Sequence, residues 1–291
     1  MQIPKKAIIT VAGSGTRFLP ATKAQPKEML PIIDKPIIQY NVEEVVASGI
    51  KDIILVTKQG GRATEDHFDT NVELEQHLKK NKKLARLEEV KRIAKIANFI
   101  YVRQKNHMPY GNGTPLLISR DLVEDGPFLY LYGDDMTKSK VPVCKQLIEV
   151  YKKNPEAAAV IAAQKMPKKE LSKYGVPKIK KGTKNELEMM VEKPDADKSP
   201  SDLAVFGRFL LTPKILPIIA KLKTGKGGEL WLTDAINQLA KKEKVLVHEI
   251  EGEWLTTGDP LNYLKTTVEF ALDRPDLKNE FRKYIVGRIK R

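Results

Sequence analysis

Short, nearly continuous apolar runs alternate along this chain with longer stretches whose apolar positions recur at helical spacing. Ala7–Val11, Asp52–Thr57, Phe99–Arg103, Phe128–Tyr132 and Ala157–Ala163 read as strands, Asp52–Thr57 as a buried one. Between them Ile37–Ser48, Asn71–Lys80, Leu84–Ile96 and Val143–Lys152 read as helices, the first with Gly49 as a C-cap. Repeated β-α-β order predicts an α/β fold, a mostly parallel sheet with helices on both faces. The pattern then changes. Val176–Lys180 and Leu187–Val191 flank Lys181-Gly182-Thr183-Lys184 and predict a hairpin, to which Leu203–Leu211 adds a strand. Residues 174–211 are therefore expected to form a small mixed β lobe. Helices over Trp231–Lys241, Pro260–Asp273 and Asp276–Val286 follow, the last two making 260–291 a helical C-terminal region. With no internal repeat, low-complexity tract or credible linker, residues 1–291 read as a single domain.

Composition narrows the class. The chain has 291 residues, enough to bury a large core, and is 41% hydrophobic. No run of eighteen apolar residues could span a membrane, and no apolar signal segment follows Met1. A single cysteine, Cys144, excludes an internal disulfide, so a reducing, cytoplasmic location is the simplest expectation. Cys144 itself reads as a packing residue on a helix face. The net charge of +14 gathers at Lys79–Lys83, Lys178–Lys184 and Arg288–Arg291. No zinc pattern, RNA-binding signature or aromatic-interleaved basic motif accompanies these clusters, which argues against a nucleic-acid partner. They read as solvated surface and as a positive field that draws in anionic substrates.

Candidate chemistry begins directly after the first apolar run, at Gly13-Ser14-Gly15 and the segment that continues to Pro31. Two glycines in a turn after a strand let several backbone N–H groups converge on one anion. Arg17 and Lys27 add cations ten residues apart. A Walker loop would need Gly-Lys-Ser/Thr opening a helix, and a dinucleotide fingerprint a third glycine inside one. Pro20, Pro26 and Pro31 instead oppose any regular helix. The segment reads as an extended basic loop lying over a triphosphate. A second feature, Gly133-Asp134-Asp135, ends the strand Phe128–Tyr132. In open α/β sheets ligands gather beyond the carboxyl ends of the strands, and carboxylates there suit Mg2+; a polar turn capping the strand is the other reading.

The stretch TRFLPATKAQPKEMLPIIDKPIIQY, from Thr16 to Tyr40, resembles the signature loop of the sugar-1-phosphate nucleotidylyltransferases, most closely their bacterial uridylyltransferase branch. EDHFDTNVELEQHL, YVRQ, YGV, VEKP, GRFLLTPKIL, GGELWLTDAI and YLKTTVEFAL are similar to that family in the same order, so the likeness spans nearly the whole chain. It implies a Rossmann-like enzyme that forms UDP-glucose and pyrophosphate from UTP and glucose 1-phosphate, with Mg2+ as cofactor and a homo-oligomeric state.

Residue by residue, the resemblance implies nucleotide contacts from Ala12, Gly13, Gly15 and Thr16, and from Gln104 and Gly111 at the base. A side-chain amide offers the donor and acceptor that a uracil edge requires. Asp134 matches the family's metal aspartate. Gly175, Glu192, Lys193 and Gly207 match positions that hold the hexose and its phosphate, with the mixed lobe over that sugar side. Glu229 has two readings, a sugar contact or a complement to the dipole of the helix that follows. Arg17 would stabilise the departing pyrophosphate, Lys27 the α-phosphate and Lys193 the incoming phosphate. His67, His77, His107 and His248 lack metal-ligand spacing and match no catalytic position.

The chain also departs from the pattern. Gly-Asp-Asp stands where the uridylyltransferases usually carry Leu-Pro-Asp and is more typical of thymidylyl relatives, which keeps dTTP as an alternative to UTP. The interval from Gln104 to Gly111 is longer than the family's. In Trp254-Leu255-Thr256-Thr257-Gly258, Thr256 occupies the place of a second metal aspartate. A catalytically impaired nucleotide-sugar-binding homologue is therefore a competing reading.

Overall fold

The structure, a computed structural model, describes residues 1–289. Lys290 and Arg291, the end of the C-terminal basic cluster, lie outside the described residues.

The runs predicted as strands are apolar on both faces because the sheet is covered on both faces. Ala7, Ile9, Ile53, Leu55, Leu129 and Leu131 enter one hydrophobic cluster, whereas Ile8, Ile54, Val56, Phe128 and Tyr130 enter another on the opposite side. Side chains that alternate between two dry layers leave no polar position in the run. Lys6–Thr10 lies between Asp52–Thr57 and Phe128–Tyr132, parallel to both, and Asn98–Arg103 extends the array as a further parallel strand. Ala159–Lys165 and Val245–Glu249 pair in parallel at the other side, completing a nine-stranded sheet. The helix Ile37–Ala47 covers one face, and Leu232–Ala240, with its buried Leu232, Ala235, Ile236 and Leu239, covers the other.

Leu203–Leu211 is not confined to the expected 174–211 lobe. It sits inside the sheet, antiparallel to Phe128–Tyr132 on one side and to Ala159–Lys165 on the other. Its side chains are buried from Ala204 onward, so only a central position satisfies it. The predicted hairpin is present as Gly175–Ile179 and Leu187–Glu192, and it joins the sheet where Gly175 meets Val205. Other elements carry too weak a pattern to be read from sequence. They include Val245–Glu249 and the small antiparallel pair of Asp135–Lys138 with Glu253–Thr256.

One arginine locks these layers together. Arg208 interrupts the apolar run of Leu203–Leu211 and is fully buried. Its Nη2 donates to Glu44 Oε2 at 2.8 Å and to the Asp135 carbonyl at 2.9 Å, and its Nη1 to the Tyr132 carbonyl at 3.4 Å. Asn41 accepts from the same guanidinium and donates to the Gly133 carbonyl at 2.8 Å. Thr257 takes the remaining carbonyl, Asp134 O, through its backbone N–H at 3.0 Å and its hydroxyl at 2.6 Å. Every carbonyl from Tyr132 to Asp135 is thereby satisfied, as a buried turn requires. Burial raises the Glu44 carboxyl, but the Arg208 charge and hydrogen bonds outweigh this and hold it below the usual range.

Breaking this pair leaves a buried charge unmatched. Arg208→Met is expected to lower unfolding free energy by about 3–5 kcal/mol in denaturant titration. Adding Glu44→Leu should recover part of that loss, since the unpaired carboxylate is then gone.

Candidate active site

Three adjoining cavities lie beyond the carboxyl ends of the central strands. The first, of about 220 Å³, is lined by Gly13, Ser14, Gly15, Thr16, Arg17, Lys27, Tyr110 and Gly258. Its loop holds only short 3-10 turns, at Thr16–Phe18, Ala21–Lys23 and Lys27–Met29, as the prolines require. Gly15 adopts φ +67°, and Thr22 Oγ1 donates to its carbonyl at 2.7 Å, which fixes the turn. Lys58 reaches the same loop and donates to Gly13 O at 2.5 Å.

The second cavity, of about 230 Å³, brings together Ala12, Gly13, Lys27, Gln104, Gly111, Asp134 and Glu229. Gly111 has φ +126°, and a Cβ there would stand 2.4 Å from the Leu230 carbonyl oxygen. The crossing of these two backbones alone therefore demands glycine. Glu229 lines this cavity beside Gln104 and is not among the residues around the third cavity, which holds Gly175 and Glu192.

The third cavity, of about 180 Å³, has an apolar floor including Phe206, Phe209, Ile236 and Trp254, with Gly175, Glu192, Thr233, Arg17 and Thr256 around it. Glu192 Oε2 accepts from Thr233 Oγ1 at 2.9 Å. Asp134, Asn112 and Tyr132 line both the second and the third cavity. Asn112 and Tyr132 were not singled out from sequence; the only local signal is an amide set between Gly111 and Gly113.

Two expected hexose-side residues stand differently. The Lys193 ammonium lies 5.2 Å from the centroid of the Trp231 ring and 3.9 Å from Glu192 Oε1, at the rim of the site. Gly207 donates its N–H to Asp135 Oδ2 at 2.9 Å, and a Cβ there would come 2.4 Å from Tyr132 Cβ. It is glycine because the sheet is tight beneath the cavity.

Charges in the site are balanced internally. Lys27 forms an ion pair with Asp134. Burial opposes the Lys27 charge, but Asp134 and Glu28 more than offset it and hold the ammonium above its ordinary pKa. Burial likewise raises Asp134, while Lys27 prevails and keeps it ionised. Asp135 is different. Both its oxygens are engaged, by Trp254 Nε1 at 2.8 Å and the Gly207 N–H, and burial with the neighbouring Asp134 charge pushes its pKa up.

Few carboxylates of the site are left for a divalent cation. Asp259 caps the helix Pro260–Asp273 through Asn262, with contacts of 3.0 and 2.6 Å, and Asp135 is committed as above. Among the described residues no cluster of three or more histidine, cysteine or acidic side chains could cage a metal. A Cβ added to Gly258 would nonetheless stand 3.4 Å from Thr256 Oγ1, 3.6 Å from Arg17 Nη1 and 3.7 Å from Asp134 Oδ2, so these groups converge on one point. With the Arg17 guanidinium and the Lys27 ammonium beside Asp134, a cation such as Mg2+ fits there only together with ligand phosphates that draw those two charges away, held by one carboxylate and otherwise by phosphates and water.

Comparison with known proteins agrees with this architecture. Residues 6–271 match the model of the nucleotidyl transferase family. The chain is 41% identical over its full length to the UTP–glucose-1-phosphate uridylyltransferase of Bacillus subtilis, covering 99% of that protein. Among solved structures it resembles the UTP-bound UGPase of Acinetobacter baumannii, with TM-score 0.89, 35% identity, and coverage of 98% of this chain and 99% of that one. It also resembles a UDP-glucose pyrophosphorylase complexed with UDP-glucose, with TM-score 0.82, 36% identity, and coverage of 94% and 100%.

Glu28 gives the site a pH signature. It is 1% exposed, and among the described residues its Oε2 has no hydrogen-bond partner. Burial pushes its pKa up from 4.5 to about 7, despite the opposing pull of Lys27. Below pH 4.5 the carboxyl is neutral in both states; as pH rises towards about 7 the unfolded chain ionises first and native stability falls. Above that, a constant penalty of about 3 kcal/mol remains. Glu28→Gln should therefore be more stable than the parent in urea at pH 8, by up to this amount, with the difference shrinking as pH falls towards 4.5.

Proposed function

The chain belongs to the nucleotidyl transferase family, and on that premise we propose that it joins UTP to glucose 1-phosphate, forming UDP-glucose and pyrophosphate. The observation that carries this reading is the place of Asp134. It lines both the Gln104 cavity and the Glu192 cavity while its carboxylate pairs with Lys27. The relatives support the same substrates: a uridylyltransferase, a UTP-bound enzyme and a UDP-glucose complex.

In this reading Gln104 meets the uracil edge, with Ala12 and Gly111 beside the base. Gly13, Gly15 and Thr16 offer backbone N–H groups to the phosphates. An oxygen of glucose 1-phosphate, already anionic at neutral pH, attacks the α-phosphorus in line. A new P–O bond forms, the α–β anhydride bond breaks, and its electrons leave on pyrophosphate. No side-chain base is needed. Lys27 turns from Asp134 to the α-phosphate, and Arg17, tethered to Gly258 O at 3.1 Å, receives charge on the leaving group. Lys193 leaves the Trp231 face to meet the incoming phosphate, and Glu192 accepts from hexose hydroxyls. Gly175 and Gly207 keep the hexose floor close, while Glu229 serves the nucleotide side.

Asp134 would hold Mg2+, with Thr256 beside it. Bound there, the cation supplies Lewis-acid stabilisation of the transferring phosphoryl group.

Pyrophosphate release with glucose 1-phosphate should be fastest with UTP when UTP, dTTP, ATP and GTP are compared. Lys27→Ala and Arg17→Ala should each lower turnover at least about a hundredfold, the loss of roughly 3 kcal/mol typical of one preorganised charge contact. A preference for dTTP would overturn the base assignment, and no turnover with any nucleotide would favour a binding homologue.

Metal affinity gives a separate test. Calorimetric titration should find weak Mg2+ binding to nucleotide-free protein, because Lys27 already neutralises Asp134. Binding should strengthen once a non-hydrolysable UTP analogue is present, and Thr256→Asp should tighten it in both states. Tight binding by the nucleotide-free parent would require a ligand other than Asp134.

A further inference from the structure

The wall shared by the nucleotide and hexose cavities is polar, and its hydrogen bonds run in one direction. Asn112 Oδ1 accepts from the Leu232 backbone N–H at 2.8 Å. A backbone N–H can only donate, so this contact fixes the amide, and Nδ2 must be the atom that donates to Tyr132 Oη at 2.8 Å. The Asn112 carbonyl accepts from Tyr130 Oη at 2.6 Å, which pins the residue from a third side. The Tyr132 hydroxyl is therefore an acceptor towards Asn112, and its own proton must point elsewhere. Among the described residues that proton has no hydrogen-bond acceptor.

The ring is also held. It packs tilted against Phe209, with centroids 5.7 Å apart, and edge-on to Tyr130 at 6.2 Å. A phenol, with an ordinary pKa of about 10, keeps its proton at neutral pH and so has it to donate. Lining the same cavity is Glu192, whose carboxylate can only accept.

We propose that Tyr132, oriented by Asn112, is a specificity-determining residue that donates its phenolic hydrogen bond to a hydroxyl of the hexose. A hydroxyl both accepts and donates, so a fixed phenolic donor and a carboxylate acceptor around one cavity suit a polyol. The inference rests on the substrate reading above and deepens it, by naming a side chain that reads the sugar and not the nucleotide.

Product binding separates the two. Calorimetry would compare UDP-glucose with UDP, for the parent, Tyr132→Phe and Asn112→Ala. Tyr132→Phe removes one oxygen and should weaken UDP-glucose roughly fivefold to tenfold, the worth of one hydrogen bond, while UDP affinity changes less than about twofold. Asn112→Ala should shift UDP-glucose in the same direction. A UDP-sugar lacking the hydroxyl that Tyr132 reads should bind the parent and Tyr132→Phe equally, because the two deletions remove one interaction. Equal weakening of UDP and UDP-glucose would place Tyr132 on the nucleotide and overturn the inference. So would unchanged binding of both ligands. A parent protein that fails to bind UDP-glucose would overturn the substrate reading itself, whatever the variants do.

Discussion

The geometry of the active site depends on a guanidinium that never reaches it. The chain leaves the strand Phe128–Tyr132 and turns within Gly133–Asp135, exposing successive carbonyls to a dry interior. Unpaired, each would cost about 1–3 kcal/mol. Arg208 brings a rigid fork of donors to this turn, with Asn41 and Thr257 completing the set. Such a cation can be buried only beside an anion, and Glu44 on the helix Ile37–Ala47 supplies one. Helix, central strand and turn are thus fixed through a single charge pair. Asp135 is consumed in the same framework, by Trp254 and Gly207. Asp135 borders the third cavity with both its oxygens engaged, whereas Asp134 lines two cavities and pairs only with the movable Lys27.

A second economy governs charge above that framework. Reactants of opposite sign to the protein are drawn by its +14 field. The buried cations cannot wait unpaired for them, so Lys27 rests on Asp134 and beside Glu28. In the proposed reaction an arriving triphosphate would offer Lys27 a stronger partner and free a carboxylate for a cation. Binding and assembly of the site would then be one event, an exchange of partners. Lys193, resting on Trp231 at the rim, fits the same logic.

The strands of the parallel half were legible because burial on both faces leaves an unbroken apolar run, and a run of that length has few other uses. The irregular course of the basic loop Gly13–Pro31 was legible because glycine and proline act locally, through φ and the missing N–H. Leu203–Leu211 was read as a strand but grouped with the hairpin that precedes it, since sequence neighbourhood is a poor guide to pairing. Arg208 inside that run was a signal of a buried partner, yet nothing local identified Glu44, 164 positions away. Asp135–Lys138 and Glu253–Thr256 are short and mixed in polarity, so only their mutual pairing makes them strands.

The sequence by itself determined the family, the covered sheet, the basic loop at Gly13–Pro31 and the presence of an acidic turn after Phe128–Tyr132. These follow from local sterics and from periodicity, which need no knowledge of distant partners. Tertiary structure decided what each polar side chain is for. Asp134 and Asp135 are adjacent and chemically identical, yet one lines two cavities and pairs with Lys27, while the other has both oxygens committed to Trp254 and Gly207. Thr256 lies opposite Asp135 only through strand register, and Asn112 faces Tyr132 only because two loops meet at Leu232. A polar group takes its role from the partner that satisfies it, and these partners were brought together by the fold, not by the order of the chain.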